Sequence, residues 1–243
     1  MVMLKELKEK YWTYKNKQAR KNKLDLPENK CFSDLVHSQD PDATFTLKKA
    51  TLSGNKTNLE AAIDWILRAQ KATQDDGVAL GYFPVSEHNG WMPSYPETTG
   101  YIITTLLNTA NTYDLPDLKE KALAMADWEV EVQMANGAVQ GGPVCPPEQQ
   151  TAAAFNTGMV ADGWMSAYEF TNDEKYLAAA VKAANFLAGD LDENGFFKTN
   201  GNVVSANEVK TYTCLCAWAM YRVGKSTKNQ LIMDAAIRSV ESA

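Results

Sequence analysis

From Asn58 onward, apolar residues return at helical spacing. Leu59, Ala62, Ile63, Ile66 and Leu67 form an i, i+3, i+4 stripe behind Asn58, whose side chain suits a helix start. Asp75-Asp76-Gly77 is expected to stop that helix. Pro96-Glu97 opens the next, since proline is tolerated in a first turn, and Tyr101, Ile102, Leu106 and Leu107 make its apolar face. Asp114-Leu115-Pro116 turns the chain into a helix predicted over 117–134. Asn136-Gly137 is expected to close that helix with left-handed backbone. Further helices are predicted over 153–170, 174–191, 207–223 and from 227 to the end. Strand signals are poor, with at most short extended pieces near 78–83 and 196–198.

The pattern also repeats. Thr99-Gly100 returns as Thr157-Gly158, Ala126-Asp127-Trp128 as Ala184-Asn185-Phe186, and Asn136-Gly137 as Asn194-Gly195, each 58 residues later. A looser third copy places Thr211 and Trp218 at 54 residues after Thr157 and Trp164. A period of this length suits a helical hairpin that cannot bury its apolar face alone and must stack on its neighbours. The turn inside each hairpin is short. The connections between hairpins (75–95, 136–152 and 192–206) are long and lead into the first helix of each pair. Loops displayed by a rigid scaffold are where binding sites concentrate.

Composition narrows the picture. The chain is 45% hydrophobic and 22% charged, as in ordinary globular proteins. No stretch approaches the ~20 apolar residues of a membrane span. No N-terminal apolar run has signal-peptide length, so a cytoplasmic location is expected. Residues 1–24 hold eight basic and two acidic residues, so of the net −6 the remainder carries −12. An acidic body of that kind argues against gripping nucleic acid through phosphates. The basic head, with Leu4, Leu7, Tyr11 and Tyr14 at helical spacing, reads as a solvated helix packing one face. An anionic surface or polymer is its alternative partner. The domain reading is a basic, irregular lead-in over 1–57 and stacked repeats over 58–243.

Cys31, Cys145, Cys214 and Cys216 make no framework, because Cys214-Leu215-Cys216 lacks the two-residue gap of zinc or thioredoxin motifs. They read as free thiols. Gly141-Gly142-Pro143 lacks the Lys-Ser/Thr that completes a phosphate loop. No residues have metal-ligand spacing, and no cofactor or metal is expected.

The layout resembles the α/α toroid family group, which includes six-hairpin glycosidases, uronate lyases and epimerases, and terpenoid cyclases. Ala126-Asp127-Trp128, Gln133, Asn136-Gly137, Phe186 and Asn194-Gly195 carry that resemblance. Within the group, the stretch from Gly90 to Ile103 is similar to toroid proteins encoded in bacterial exopolysaccharide clusters, as are Phe155-Asn156-Thr157-Gly158 and Thr211-Tyr212. The resemblance covers roughly 58–243 and implies an all-α toroid of helical hairpins. The last predicted helix ends at Ala243 without an Asn-Gly loop, so the ring is expected to be incomplete, closed by a homo-oligomer or another partner, or the chain to be a fragment.

Sugars are held by aromatic faces that stack on their C–H surfaces and by carboxylates or amides that bind their hydroxyls. The segment 88–101 supplies that mix: His88, Trp91, Tyr95, Glu97 and Tyr101. Glu97 lies in a first helical turn, where the helix dipole stabilises its negative charge, which suits a base or hydroxyl binder. Phe155 is its counterpart in the next copy, so an acid there is not a habit of the repeat. Asn156 and Tyr212 offer further substrate contacts. Glycoside hydrolysis needs two carboxylates, and Glu97 with Glu208 is the cross-copy pair. Elimination or epimerisation of a uronate needs a base near the C5 proton, for which His88, Tyr95 or Tyr212 are candidates, with Asn156 facing the substrate carboxylate. The expectation is therefore a carbohydrate-active protein, hydrolase, lyase or epimerase, acting on an oligo- or polysaccharide in exopolysaccharide synthesis or modification. Glu97, His88 and Glu208 are its catalytic candidates, and Trp91, Tyr95, Tyr101, Asn156 and Tyr212 its substrate binders. A non-catalytic glycan-binding or assembly subunit is the alternative. Isoprenoid chemistry lacks its aspartate-rich motif.

Overall fold

The computed structural model describes residues 55–83, 90–201 and 211–243. The basic segment 1–24 and Cys31 lie outside these residues. Seven α-helices form among the described residues: α1 (Asn55–Thr73), α2 (Pro96–Tyr113), α3 (Pro116–Glu131), α4 (Ala154–Thr171), α5 (Glu174–Asp190), α6 (Cys216–Thr227) and α7 (Gln230–Glu241). Short 3-10 turns occupy Pro147–Gln149 and Thr211–Leu215. No strand forms among the described residues, only isolated bridges such as Gln140 with Ala152. The chain divides into two compact units. One holds 55–72, 81–83 and 90–92, and the other holds 73–80, 93–201 and 211–243.

The larger unit is three hairpins, α2–α3, α4–α5 and α6–α7. Their first helices stand side by side, with α4 between α2 and α6, and each second helix packs on its own first helix. The sequence of α4 demands this place. Ala154, Val160, Ala161, Trp164, Met165 and Ala167 are all buried, and a helix apolar nearly all round must be covered on several sides.

The Thr-Gly repeat has a double task. A Cβ on Gly100 would lie 2.8 Å from the Val160 backbone nitrogen, and one on Gly158 would lie 2.6 Å from the Cys216 sulfur. Each glycine thus lets one first helix approach the next. Each threonine anchors the entering loop: Thr99 Oγ1 accepts the Val78 N–H at 3.0 Å and Thr157 Oγ1 the Val139 N–H at 2.9 Å. Gly100→Ala is expected to cost about 1–3 kcal/mol, since backbone cannot step aside as a side-chain tip can. Chemical denaturation of the two proteins measures it.

The structure corrects two registers. Left-handed residues close the first helix of each hairpin at Asp114, Asn172 and Lys228, offsets of 58 and then 56 residues. At 56 residues, buried Thr213 falls opposite Thr157, and fully buried Met220 opposite Trp164. Thr211 is exposed and Trp218 is 62% exposed, so the expected 54-residue alignment is two short. The third first helix accordingly starts at Cys216 and not near 207.

The second correction concerns Asn136-Gly137. Helix α3 ends at Glu131, and Gly137 belongs to a later turn, where its N–H donates to Met134 O and Met134 N–H to Ala138 O. Gly137 has φ 88° and Gly195 φ 91°. Each sits on a backbone carbonyl of the next hairpin's second helix, Lys182 and Arg238 respectively. Gln133 Nε2 reinforces the first contact by donating to both Gly137 O and Ala179 O at 3.0 Å. Helix α1 begins at Asn55, three residues before the expected cap, and stops ahead of Asp75-Asp76-Gly77 as expected.

Candidate functional site

The first turns of α2 and α4 bring three predicted residues together. Tyr95 precedes Pro96, which fixes the start of α2, so Tyr95 and Glu97 flank the helix N-terminus. The Tyr95 hydroxyl donates to Glu97 Oε2 at 2.5 Å. Asn156, in the first turn of α4, is buried and donates from Nδ2 to Gln140 O at 3.0 Å, with the Tyr95 hydroxyl at the outer limit of 3.5 Å. Burial first, and then the bond to Glu97, push the Tyr95 phenol up to about 12. A phenol in this setting keeps its proton at neutral pH and donates it in a hydrogen bond to Glu97.

Beside this constellation runs an aromatic row. Tyr101 and Phe155 have ring centroids 6.2 Å apart, and Phe155 meets Tyr212 edge-on at 4.9 Å. Tyr101 and Tyr212 stay exposed at 41% and 50%. Burial and the nearby Glu97 charge push the Tyr101 phenol up to about 12. Phe155 itself escaped the sequence reading, which treated it only as the counterpart of Glu97. Its place between two predicted tyrosines, one per neighbouring repeat, was the available signal. Gln140 is fully buried, and its side chain donates to Pro143 O at 2.5 Å, so it shapes the loop.

Trp91 belongs to the smaller unit. Its ring lies 5.0 Å from Trp65 and 4.8 Å from Tyr82, and Arg68 covers Trp65 at 5.2 Å. Such a cluster holds the indole firmly and leaves it partly exposed. His88 and Glu208 lie outside the described residues. The described cysteines are free thiols, and no group of three or more potential metal ligands gathers among the described residues. No described helix is long and apolar enough to cross a membrane.

Glu129 was not anticipated. It is fully buried on α3, and neither carboxylate oxygen has a hydrogen-bond partner among the described residues. Burial, then the nearby Asp75 charge, push its carboxyl well above the usual carboxylate range. The next repeat carries Leu187 at the same place, 58 residues on. Replacing Glu129 by leucine should therefore stabilise the fold at neutral pH by about 1–3 kcal/mol, the cost of an unsatisfied buried polar group. The pH dependence has a definite sign. At low pH both states hold the proton. As pH rises, the unfolded glutamate ionises first, and stability falls by about 1.4 kcal/mol per pH unit until the folded group titrates too. Thermal unfolding from acid to mildly alkaline pH should show this decline in the wild type and lose it in Glu129→Leu. A variant less stable than wild type at neutral pH would contradict the assignment.

No family model matches the chain, and no curated protein matches it. Among solved structures it is similar to an unsaturated glucuronyl hydrolase specific for heparin, with TM-score 0.59 and 16% identity over 77% of this chain. The fold is the α/α toroid. The chain spans 46% of that enzyme's chain, less than half its length. In the α/α toroid, the end of the first helices that receives the long loops is where Tyr95, Glu97, Asn156 and the aromatic row stand.

Proposed function

We propose that this chain binds an oligo- or polysaccharide at the loop-bearing end of its first helices and acts on it there. The observation that carries the reading is the gathering of Tyr95, Glu97 and Asn156 from two repeats beside an exposed aromatic row. Tyr101 and Tyr212 offer faces and edges to a sugar ring. Asn156 offers an amide, and Glu97 offers the carboxylate that accepts a hydroxyl bond or takes a proton. A fold fixes no reaction, so hydrolysis, elimination and C5 epimerisation are distinguished by the residues and products alone. Glu208, four residues before Tyr212 in the chain, and His88 are the candidates for the second acid–base group. The Gly90–Ile103 resemblance supports exopolysaccharide synthesis or modification as the setting. The fold likeness to a glucuronyl hydrolase adds uronate-containing chains to the substrates to be tested.

The second reading is a glycan-binding or assembly subunit without turnover. It is favoured by Glu97 being the one described carboxylate in this hydrogen-bonded group. Incubation with neutral and uronate-containing oligosaccharides in heavy water, followed by mass spectrometry, separates the two. Hydrolysis adds the elements of water, elimination yields an unsaturated end, and epimerisation exchanges one proton for deuterium. Bound but chemically unchanged sugars would establish the second reading. A panel that neither binds nor reacts would overturn both.

A further inference from the structure

The three first helices carry a polar feature that neither the repeat nor the Glu97 constellation explains. Trp164 of α4 points toward α3, where its indole N–H donates to Ala126 O at 3.2 Å. Asp162 and Ser166 stand two residues before and after it, about 160° around the helix. They face a cavity of about 720 Å³ that α2, α4 and α6 share. Arg222 crosses from α6 to bond Asp162 at 2.5 Å and Glu169 at 2.8 Å. Ser166 lies 3.3 Å from the same guanidinium and 2.9 Å from the Thr104 hydroxyl. Five side chains from three helices thus make a tied polar wall with both donors and acceptors. Trp218, 62% exposed, supplies an indole on the same cavity.

Three properties narrow the occupant. The volume falls in the range of small-molecule sites, about 300–1,000 Å³. The charges balance, since Asp162 and Glu169 are matched by Arg222 and Lys225, so nothing here selects a polyanion. The Asn108 amide and Lys225 ammonium, both lining the cavity, have no side-chain partner among the described residues. An apolar protein surface is a poor occupant, because it would desolvate the Asp162–Arg222–Glu169 network without supplying new hydrogen bonds. An indole beside fixed hydroxyl, amide and charged groups matches a pyranose, with apolar C–H faces and a rim of hydroxyls.

We infer that this groove holds a neutral sugar unit of the same oligosaccharide, stacked on Trp218 and hydrogen-bonded to Asn108 and the Asp162–Arg222 wall, at a distance from the Glu97 end. The inference rests on the ligand being a saccharide, as proposed above. Thr104 is seven residues beyond Glu97 along α2, and Ser166 ten beyond Asn156 along α4, which sets the groove about 10–15 Å away. A short sugar fills one place or the other, and only a longer chain reaches both.

Calorimetric titration with disaccharides and hexasaccharides of the cellulose and starch types, and with a uronate hexasaccharide, tests this. Affinity for a neutral hexasaccharide should exceed that for its disaccharide. Trp218→Ala should lower hexasaccharide affinity by about ten-fold or more, as loss of an aromatic anchor does, and Trp218→Tyr should restore most of it. Trp218 is exposed, so the variants are expected to keep the wild-type melting temperature, which the same samples report. No gain with length, or an unchanged hexasaccharide affinity in Trp218→Ala, overturns the groove while leaving the Glu97 site intact. Weakening confined to the uronate chain overturns the neutral-sugar assignment. A wild type that binds no sugar of the panel overturns both.

Discussion

Glu97→Gln should abolish most turnover while leaving sugar affinity within about two-fold, because glutamine keeps the shape and the acceptor for Tyr95 but neither the charge nor the basicity. General acid–base groups contribute about 10²–10⁴ in rate, and the loss in kcat should fall in that range. The Tyr95 hydroxyl already donates to Glu97 Oε2 at 2.5 Å, and the glutamine oxygen can occupy the same place. The binding contacts proposed for Asn156 and the Tyr101–Phe155–Tyr212 row would be untouched. The Tyr95 phenol, held near 12, stays protonated across the working range. No ionisation of that phenol should therefore shape the pH–rate profile below about pH 10. Steady-state kinetics with parallel calorimetry decide the matter. Unchanged kcat would remove Glu97 from the chemistry, and a matched loss of affinity would make it a binder only.

Gly137→Ala should destabilise the protein by about 3 kcal/mol, combining the cost of a left-handed backbone for an L-residue with a steric clash. Its φ is 88°, and a Cβ would stand 2.6 Å from the Lys182 carbonyl oxygen. That oxygen belongs to the backbone of α5, whose helical bonding resists a shift. For a domain of this size the melting temperature should fall by roughly 10 °C. Gly142 is the internal comparison, with φ 78° and nothing within 4 Å of a Cβ. Gly142→Ala should cost only the backbone part, about 1–2 kcal/mol. Equal losses in the two variants would show that the contact with Lys182 contributes nothing.

The hairpins were legible because helical spacing of apolar residues survives any change in which apolar residue is used. Pro96 marked a helix start correctly for the same local reason. The third copy was misaligned because its register is set by a left-handed turn residue whose identity changes from Asp114 to Asn172 to Lys228. Letter matching found Thr211 and Trp218, while the backbone placed Thr213 and Met220 in the buried positions. Asn-Gly was read as a helix end because caps and free-standing turns favour the same dipeptide; the deciding carbonyl, Lys182 O, is 45 residues away. Tyr95 and Glu97 were visible as neighbours in one segment. Their approach to Asn156 needed the packing of α2 against α4. Glu129 resembled any solvated helix charge, since only the fold reveals that no water reaches it. The Asp162–Arg222 pair had one local signal, an acid inside the apolar run of α4, but its partner lies 60 residues on.

The loop clamps also redefine where one building block ends. Gln133 and Gly137 follow α3 in the chain, yet Gln133 bonds to Ala179 of α5, Gly137 packs against the Lys182 carbonyl there, and Val139 bonds to Thr157 of α4. A gene duplication that copied a bare hairpin would strand these contacts. One that began just after a second helix and ran to the end of the following one would carry a complete set, loop included. The heritable module is therefore a connection followed by its hairpin, and grafts or deletions in this chain should be cut at the ends of α3 and α5 to preserve it.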